Sequence, residues 1–200
     1  PYFAGADQIH LLTRFTELGL KPRVGVVMGH FDEVMASRLP PQVREGFYSC
    51  NTYFMTIANA KAKDYLRQLA ARPDVHGLWP HGNGMLTNFG EGVYVCVHAF
   101  AQAVQMAGTT ESQALVAALE RVSIDAPQGH VQMDATTHHA HVNTYLARCN
   151  AEGEFLIVER FGSQAPVIPE RYLPLALPGN TTTPTADPAK TEQLANAAGA

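Results

Sequence analysis

The stretch SIDAPQGHVQMDATTHHAH (residues 123–141) sets a turn signature beside three histidines that fall within four positions. Ala126-Pro127-Gln128-Gly129 fits a tight turn with proline presetting the second position, and it predicts that the chain is re-aimed there from a helix into a strand. HVQMD from His130 and HVNTYLARC from His141 have strand character. EFLIVERF from Glu154 follows the turn-forming NAEG, so the last two runs are expected to form a hairpin. His139 and His141 share one face of an extended strand and His138 points the other way, so at most two of them could meet one ion. Zinc usually needs three or four ligands, and no Cys or carboxylate lies at an evident ligand spacing. The histidines are therefore read as surface or loop residues and no metal is assigned. Long-range folding that brought in His130 or Asp134 would revive the alternative, a metal-dependent hydrolase using the histidine cluster.

Upstream, Ile9, Leu12 and Phe15 recur at helical spacing between Gly5 and Gly19, and RVGVVM (23–28) follows as a short strand. HFDEVMASRL (30–39) reads as a helix halted by Pro40-Pro41. GFYSCNTYF (46–54) gives another strand, and Asn59 is placed to cap the helix AKAKDYLRQLAA. Strands alternating with helices predict parallel βα units with both sheet faces covered. RPDVHGLWPHGNGMLT (72–87), rich in Gly and Pro, is the expected crossing between two lobes. Asn88 with Glu91 then reads as a capping pair for a long helix, its buried stripe being Val93, Val97, Phe100, Ala101 and Val104, ended by Gly108. Thr110 with Gln113 repeats the capping pattern for a helix through Arg121. From Ala176 onward the Thr/Pro/Ala/Gly-rich tail has no large apolar stripe and is expected to be disordered.

Composition limits the function classes. The 200 residues are 46% apolar and 16% charged, with a net charge of −4 and no Lys/Arg cluster, which excludes a nucleic-acid footprint. No apolar run approaches the roughly 20 residues of a membrane span. The first residue is Pro rather than Met, so an export signal could lie upstream. Cys50, Cys96 and Cys149 are odd in number and widely spaced, and each reads as a small buried hydrophobe. No GxSxG elbow, phosphate-cradling GxxxxGK[ST] or strand-following GxGxxG occurs, so no nucleophile and no cofactor are nominated and an enzyme is not expected.

With those residues in view, the segment from Ser123 resembles the closing part of the short-chain amide and urea binding proteins. These are a branch of the type I periplasmic binding proteins related to the leucine/isoleucine/valine binders. The resemblance rests on Asp125, Ala126, Pro127, Gln128 and Gly129, then His138-His139, then Gly153 and Phe155. Tyr53, Phe54 and Ile57 match a second family stretch. Glu91, Tyr94, Ala107 and Gly108 match its long helix, so the likeness covers roughly residues 5 to 172. It implies an α/β fold of two lobes built from parallel βα units with a closing β-hairpin, of which the first lobe is incomplete here. Residues 1–84 would be second-lobe βα units, 85–145 the segment returning to complete the first lobe, 146–175 the closing hairpin on the second lobe, and 176–200 the disordered tail.

The resemblance also implies a function: capture of a small polar organic ligand, an amide, urea or an amino-acid-like molecule, by hinge closure without chemical change. The partner would be an ABC transporter permease or, for a ligand-sensing receptor domain, a regulator protein. The location would be periplasmic, with a cytoplasmic sensor as the alternative. In such lobes ligands sit at the carboxyl ends of strands, where loop backbones and helix amino termini converge. That selects Phe3 and Gly5 before the first helix, Gly29 and His30 after RVGVVM, and Phe89 at the start of the long helix. Phe89 matches an aromatic position that lines the pocket in the branched-chain relatives. Glu91 is assigned to capping.

Overall fold

Helix α1 (Ala6–Glu17) ends as its sequence predicts. Gly19 takes a left-handed φ of 64°, its N–H donates to Thr16 O, and Leu20 N–H reaches back to Phe15 O, satisfying the last carbonyls. The computed structural model describes residues 3, 5–72 and 86–168. Most of the expected crossing at 72–87 and the whole of the expected tail at 176–200 lie outside the described residues. After α1 come β1 (Val27–Met28), α2 (Glu33–Ser37), α3 (Pro41–Arg44), β2 (Tyr48–Asn51) and α4 (Ala60–Ala70). Then follow α5 (Asn88–Ala107), α6 (Ser112–Leu119), β3 (Ser123–Ala126), β4 (Gly129–Met133), β5 (Ala140–Cys149) and β6 (Phe155–Gln164).

The strands form one mixed sheet in the order β1-β2-β5-β4-β3, with β6 paired to β5. β1 and β2 run parallel, Val27 opposite Tyr48, as expected of a βα unit; the remaining pairs are antiparallel, β5 and β6 forming the expected hairpin. The reason is connection length. Two short helices, α2 and α3, separate β1 from β2, whereas β3–β4 and β5–β6 are joined by tight turns that only antiparallel neighbours can use. The turn at Pro127-Gln128 lies between two strands, Ala126 pairing with Gly129, so it reverses a hairpin rather than converting a helix into a strand. Strand β5 is the structural spine. Its first residues pair with β4 at Gln132↔His141, and its later ones pair with β2 at Asn51↔Tyr145.

Among the described residues the core falls into three clusters, a small one of Val95, Ala126 and Val131 lying beside two larger ones. Around β1, β2 and β6, Phe31 meets Phe47 and Phe155 edge-on, and Phe54 stacks on Phe155 at 5.0 Å. Such aromatic pairs add about 0.5–1.5 kcal/mol beyond their buried area. Around α5 and α6 the core is smaller and built largely of alanine, with Ala99, Ala103 and Ala118 against Leu115 and Val122.

Sequence signals for helix starts fare unevenly. Asn59 caps α4 by accepting from Ala62 N–H at 2.7 Å, as expected. Pro40-Pro41 does halt the preceding helix, but α2 is only five residues long and Pro41 itself opens α3. The cap of α5 is Thr87, whose Oγ1 accepts from Gly90 N–H, and the cap of α6 is Glu111, so the Asn88 assignment is one residue late and the Thr110 assignment one residue early. Of the expected buried stripe of α5, Val104 packs against the core but most of the rest does not. Val95, Ala99 and Ala103 face the core, while Val93, Val97 and Phe100 are 63%, 60% and 51% exposed. Cys96 shares that exposed face, so only Cys149 of the three thiols is fully buried.

Candidate functional site

The strand ends of β1 and β2 gather the residues singled out from sequence. Gly5 caps α1 with a left-handed φ of 63°, which favours a residue without Cβ. One turn into the helix, buried Gln8 donates from Nε2 to Phe3 O at 3.0 Å and to His30 O, tying the segment before α1 to the loop after β1. Gly29 is exposed and His30 half-buried on that loop. The His30 ring stands edge-on to Phe89, centroids 4.5 Å apart, which brings the first turn of α5 to the same place. Phe3 and Phe89 are both about half exposed.

Sequence reasoning missed the polar groups beneath them. Asn51, at the end of β2, donates from Nδ2 to Phe31 O at 3.2 Å and to Ser49 Oγ, so its Oδ1 faces Asn88 and accepts from Asn88 Nδ2 at 3.2 Å. That relay turns Asn88 Oδ1 away as a free acceptor. In the same manner the two carbonyls held by Gln8 Nε2 fix its amide with Oε1 on the other side. Asp32 caps α2 through Oδ1, which accepts from Met35 N–H at 3.2 Å. Gln8 Oε1, Asp32 Oδ2 and Asn88 Oδ1 are buried with no partner among the described residues. Burial raises the Asp32 carboxyl above its ordinary range, the Met35 N–H, nearby His30 and the Val34 and Asn88 N–H groups pulling it back. The sequence signal for these side chains is position: Asp32 and Asn88 stand at helix starts and Gln8 in the first turn of α1.

A second polar group holds the Pro127-Gln128 turn. Glu91 is fully buried and accepts from Gln128 N–H at 3.3 Å and from Gln128 Nε2 at 3.0 Å, so it is a brace on the Pro127-Gln128 turn rather than a helix cap. Tyr145 OH donates to Gln128 O, and Asn59 Nδ2 donates to Pro127 O. The turn is thereby fastened to α4, α5 and β5 at once. Burial pushes the Glu91 carboxyl up to about 7, against the two Gln128 donors that favour its charge. Glu33, whose Oε1 accepts from Met55 N–H, is pushed by burial up to about 8.

The histidine cluster is dispersed. His138 pairs with Glu120 at 3.0 Å, His141 with Asp134 at 3.5 Å, and His139 Nδ1 lies 2.7 Å from Thr137 O. Among the described residues no group of three or more His, Cys, Asp or Glu is placed to hold a metal ion. His130 lies between Ser123 Oγ and Asp125 Oδ1, each at 3.0 Å. That row has the order of a hydrolytic triad, yet all three residues are exposed, where water solvates the charges and no enclosed site surrounds the hydroxyl.

Comparison with known proteins agrees with this architecture. A family profile described as periplasmic binding protein matches residues 2–154. A solute-binding protein of an ABC transporter from R. palustris, in complex with benzoate, superposes with a TM-score of 0.65 at 17% identity, over 81% of this chain and 42% of that one. An ABC transporter substrate-binding protein from Sphaerobacter thermophilus gives 0.67 at 19%, over 80% and 43%. The leucine-, isoleucine-, valine-, threonine- and alanine-binding protein from Brucella ovis, in its closed conformation, gives 0.61 at 16%, over 82% and 43%. The chain thus spans less than half the length of these structures, and at such identities the likeness concerns the fold. Among the described residues no helix is long and apolar enough to cross a membrane.

Proposed function

Because the chain belongs to the periplasmic binding protein family, we propose that it forms part of a solute-binding protein that captures a small amide, urea or amino-acid-like molecule between two lobes and releases it unchanged. Residues 1–84 are then second-lobe βα units, 85–145 return to complete the first lobe, and 146–175 close as a hairpin on the second. The ligand site is Phe3, Gly5, Gly29, His30 and Phe89, to which we add Gln8, Asp32 and Asn88.

One observation carries the reading. Three buried oxygens, Gln8 Oε1, Asp32 Oδ2 and Asn88 Oδ1, lack a hydrogen-bond partner among the described residues, and each belongs to a residue bonded to or within two positions of His30 or Phe89, whose rings meet. A buried acceptor without a donor costs about 1–3 kcal/mol, so a ligand offering N–H groups gains what the empty site forgoes. Amides, urea and ammonium groups have that chemistry, and the two rings supply an apolar wall beside it. The protein would serve an ABC importer from the periplasm. Three cysteines without a disulfide favour a second setting for the same cleft, a cytoplasmic sensor signalling to a regulator.

The test is a thermal-shift panel of small solutes on the complete gene product that carries these residues. Recovered ligand is then compared with the starting compound by proton NMR. A saturable rise in melting temperature with unchanged ligand is expected; chemical conversion, or no response to any amide, urea or amino acid, contradicts the proposal.

A further inference from the structure

Glu91 is a fully buried acid that no salt bridge among the described residues reaches. It stands in the first turn of α5, its N–H donating to Thr87 O at 3.1 Å. Asn88 and Phe89, which α5 brings to the candidate site, belong to the same turn. One Glu91 oxygen accepts from Gln128 N–H and the other from Gln128 Nε2, the pattern of a carboxylate. The Pro127-Gln128 turn is held independently of Glu91, since Tyr145 OH donates to Gln128 O at 2.7 Å and Asn59 Nδ2 to Pro127 O at 2.8 Å. The turn is thus a fixed anchor, and the two bonds to Glu91 moor the start of α5 to it.

The other end of the Gln128 amide is unused. Its Oε1 is buried with no partner among the described residues. Whichever Glu91 oxygen takes up a proton, that oxygen then turns a donor toward an N–H. The backbone N–H of Gln128 cannot move aside, but the side-chain amide can turn over and present Oε1 to the new O–H. Two pairings are therefore available to the same two side chains. Burial, which opposes the charged form, and the Gln128 donors, which favour it, bring the two into balance at about 7. Tyr53 beyond β2, Tyr65 on α4 and Tyr145 on β5 surround Glu91. Burial above all raises their hydroxyls, with the Glu91 charge adding to it, Glu33 acting on Tyr53 as well and Arg160 opposing at Tyr145, so none of them titrates in its place.

We propose that Glu91 is the positioning residue of the candidate solute site and that its proton works a switch. The carboxylate seats the first turn of α5 so that Asn88 meets Asn51 and Phe89 meets His30; protonation turns the Gln128 amide over and releases that seat. The switch rests on the solute-binding reading proposed above and adds its regulation: capture is favoured as pH rises, and solute bound at lower pH expels the Glu91 proton.

The test is calorimetry of the complete gene product with acetamide, which does not itself titrate in this range. Wild type is expected to bind about tenfold tighter than Glu91→Gln, an uncharged stand-in for the acid, at about pH 8, and within about twofold of it at about pH 6. Asp32, Glu33 and His30 are common to both proteins, so this ratio isolates Glu91. A second readout needs neither solute nor variant. With glutamate labelled by carbon-13 at the side-chain carboxyl, the Glu91 carboxyl, the Gln128 side-chain amide and the Phe89 ring signals of the solute-free protein should titrate together, with a midpoint of about 7. A Gln128 or Phe89 signal that does not follow the Glu91 carboxyl overturns the inference, as does an affinity ratio equal at the two pH values. Signals that titrate together in a protein binding no amide or urea leave the switch standing and remove the solute reading; acetamide binding with a constant ratio does the reverse.

Discussion

The imidazole of His30 stands at 76° to the ring of Phe89, their centroids 4.5 Å apart, so the loop after β1 and the first turn of α5 share one contact. Residues 59 apart in sequence are joined there, and the buried Gln8 fastens the same loop to the segment before α1 through His30 O.

Phe89→Leu keeps most of the apolar volume while removing the aromatic face. In the complete gene product it should weaken solute binding about tenfold, equivalent to about 1.4 kcal/mol, with the ligand-free melting temperature little changed. Titration calorimetry and a thermal melt measure the two effects. Unchanged affinity with lowered stability would assign Phe89 to lobe packing.

Stability should fall as pH rises from about 5 to 8. Burial raises Glu91 to about 7 and Glu33 to about 8, from an ordinary value of 4.5, so both hold their protons in the folded chain after the unfolded chain has lost them. Their favourable contribution is complete below 4.5 and is lost as pH climbs through 7 and 8. Asp64, Glu111 and Asp134 are held below their ordinary values by hydrogen bonds and act only at lower pH. Melting curves should therefore drop by several degrees across the window, and Glu91→Gln should flatten the slope. The new amide can donate to Gln128 Oε1, which lacks a partner. A slope unchanged by both Glu91→Gln and Glu33→Gln would contradict the assignment.

Gly129→Ala should destabilise the fold. At φ 115° a side chain is strained, and its Cβ would lie 2.6 Å from Asn143 Nδ2, an atom held by its bond to His130 O. Strain of this type costs about 1–3 kcal/mol, before the clash. Adding Asn143→Ala should recover part of the loss in urea unfolding; no loss for Gly129→Ala alone would show that the turn is looser than described.

Zinc should bind without stoichiometry and without a large rise in melting temperature, since His138, His139 and His141 face separate partners. Saturable one-to-one binding lost on substituting these histidines would overturn that separation.

Much of the fold was legible because its signals are local. Asn59, Gly19, Pro40-Pro41 and the NAEG turn each act on the few residues around them, and each stands where the sequence implied an element edge. The α5 stripe was misread because periodicity reports that a helix has an apolar face and not which of two faces finds a partner. The caps at Thr87 and Glu111 were missed because neighbouring polar residues compete for the same role and geometry chooses between them. For the candidate site, the sequence selects Phe3, Gly5, Gly29, His30 and Phe89 by their place before helices and after β1. The acceptors Gln8, Asp32 and Asn88 were not legible, since their meaning arises only when three separate helices converge.

The central claim is that the site selects a solute by its N–H donors. The most direct measurement is titration calorimetry of the complete gene product with acetamide and acetate, which share a shape but differ in donors, beside urea, leucine and benzoate. A site whose buried acceptors need donors should prefer acetamide over acetate by at least about tenfold, and Asp32→Ala should erase most of the preference. Acetate or benzoate binding as tightly as acetamide, with the order unchanged in Asp32→Ala, would contradict the account.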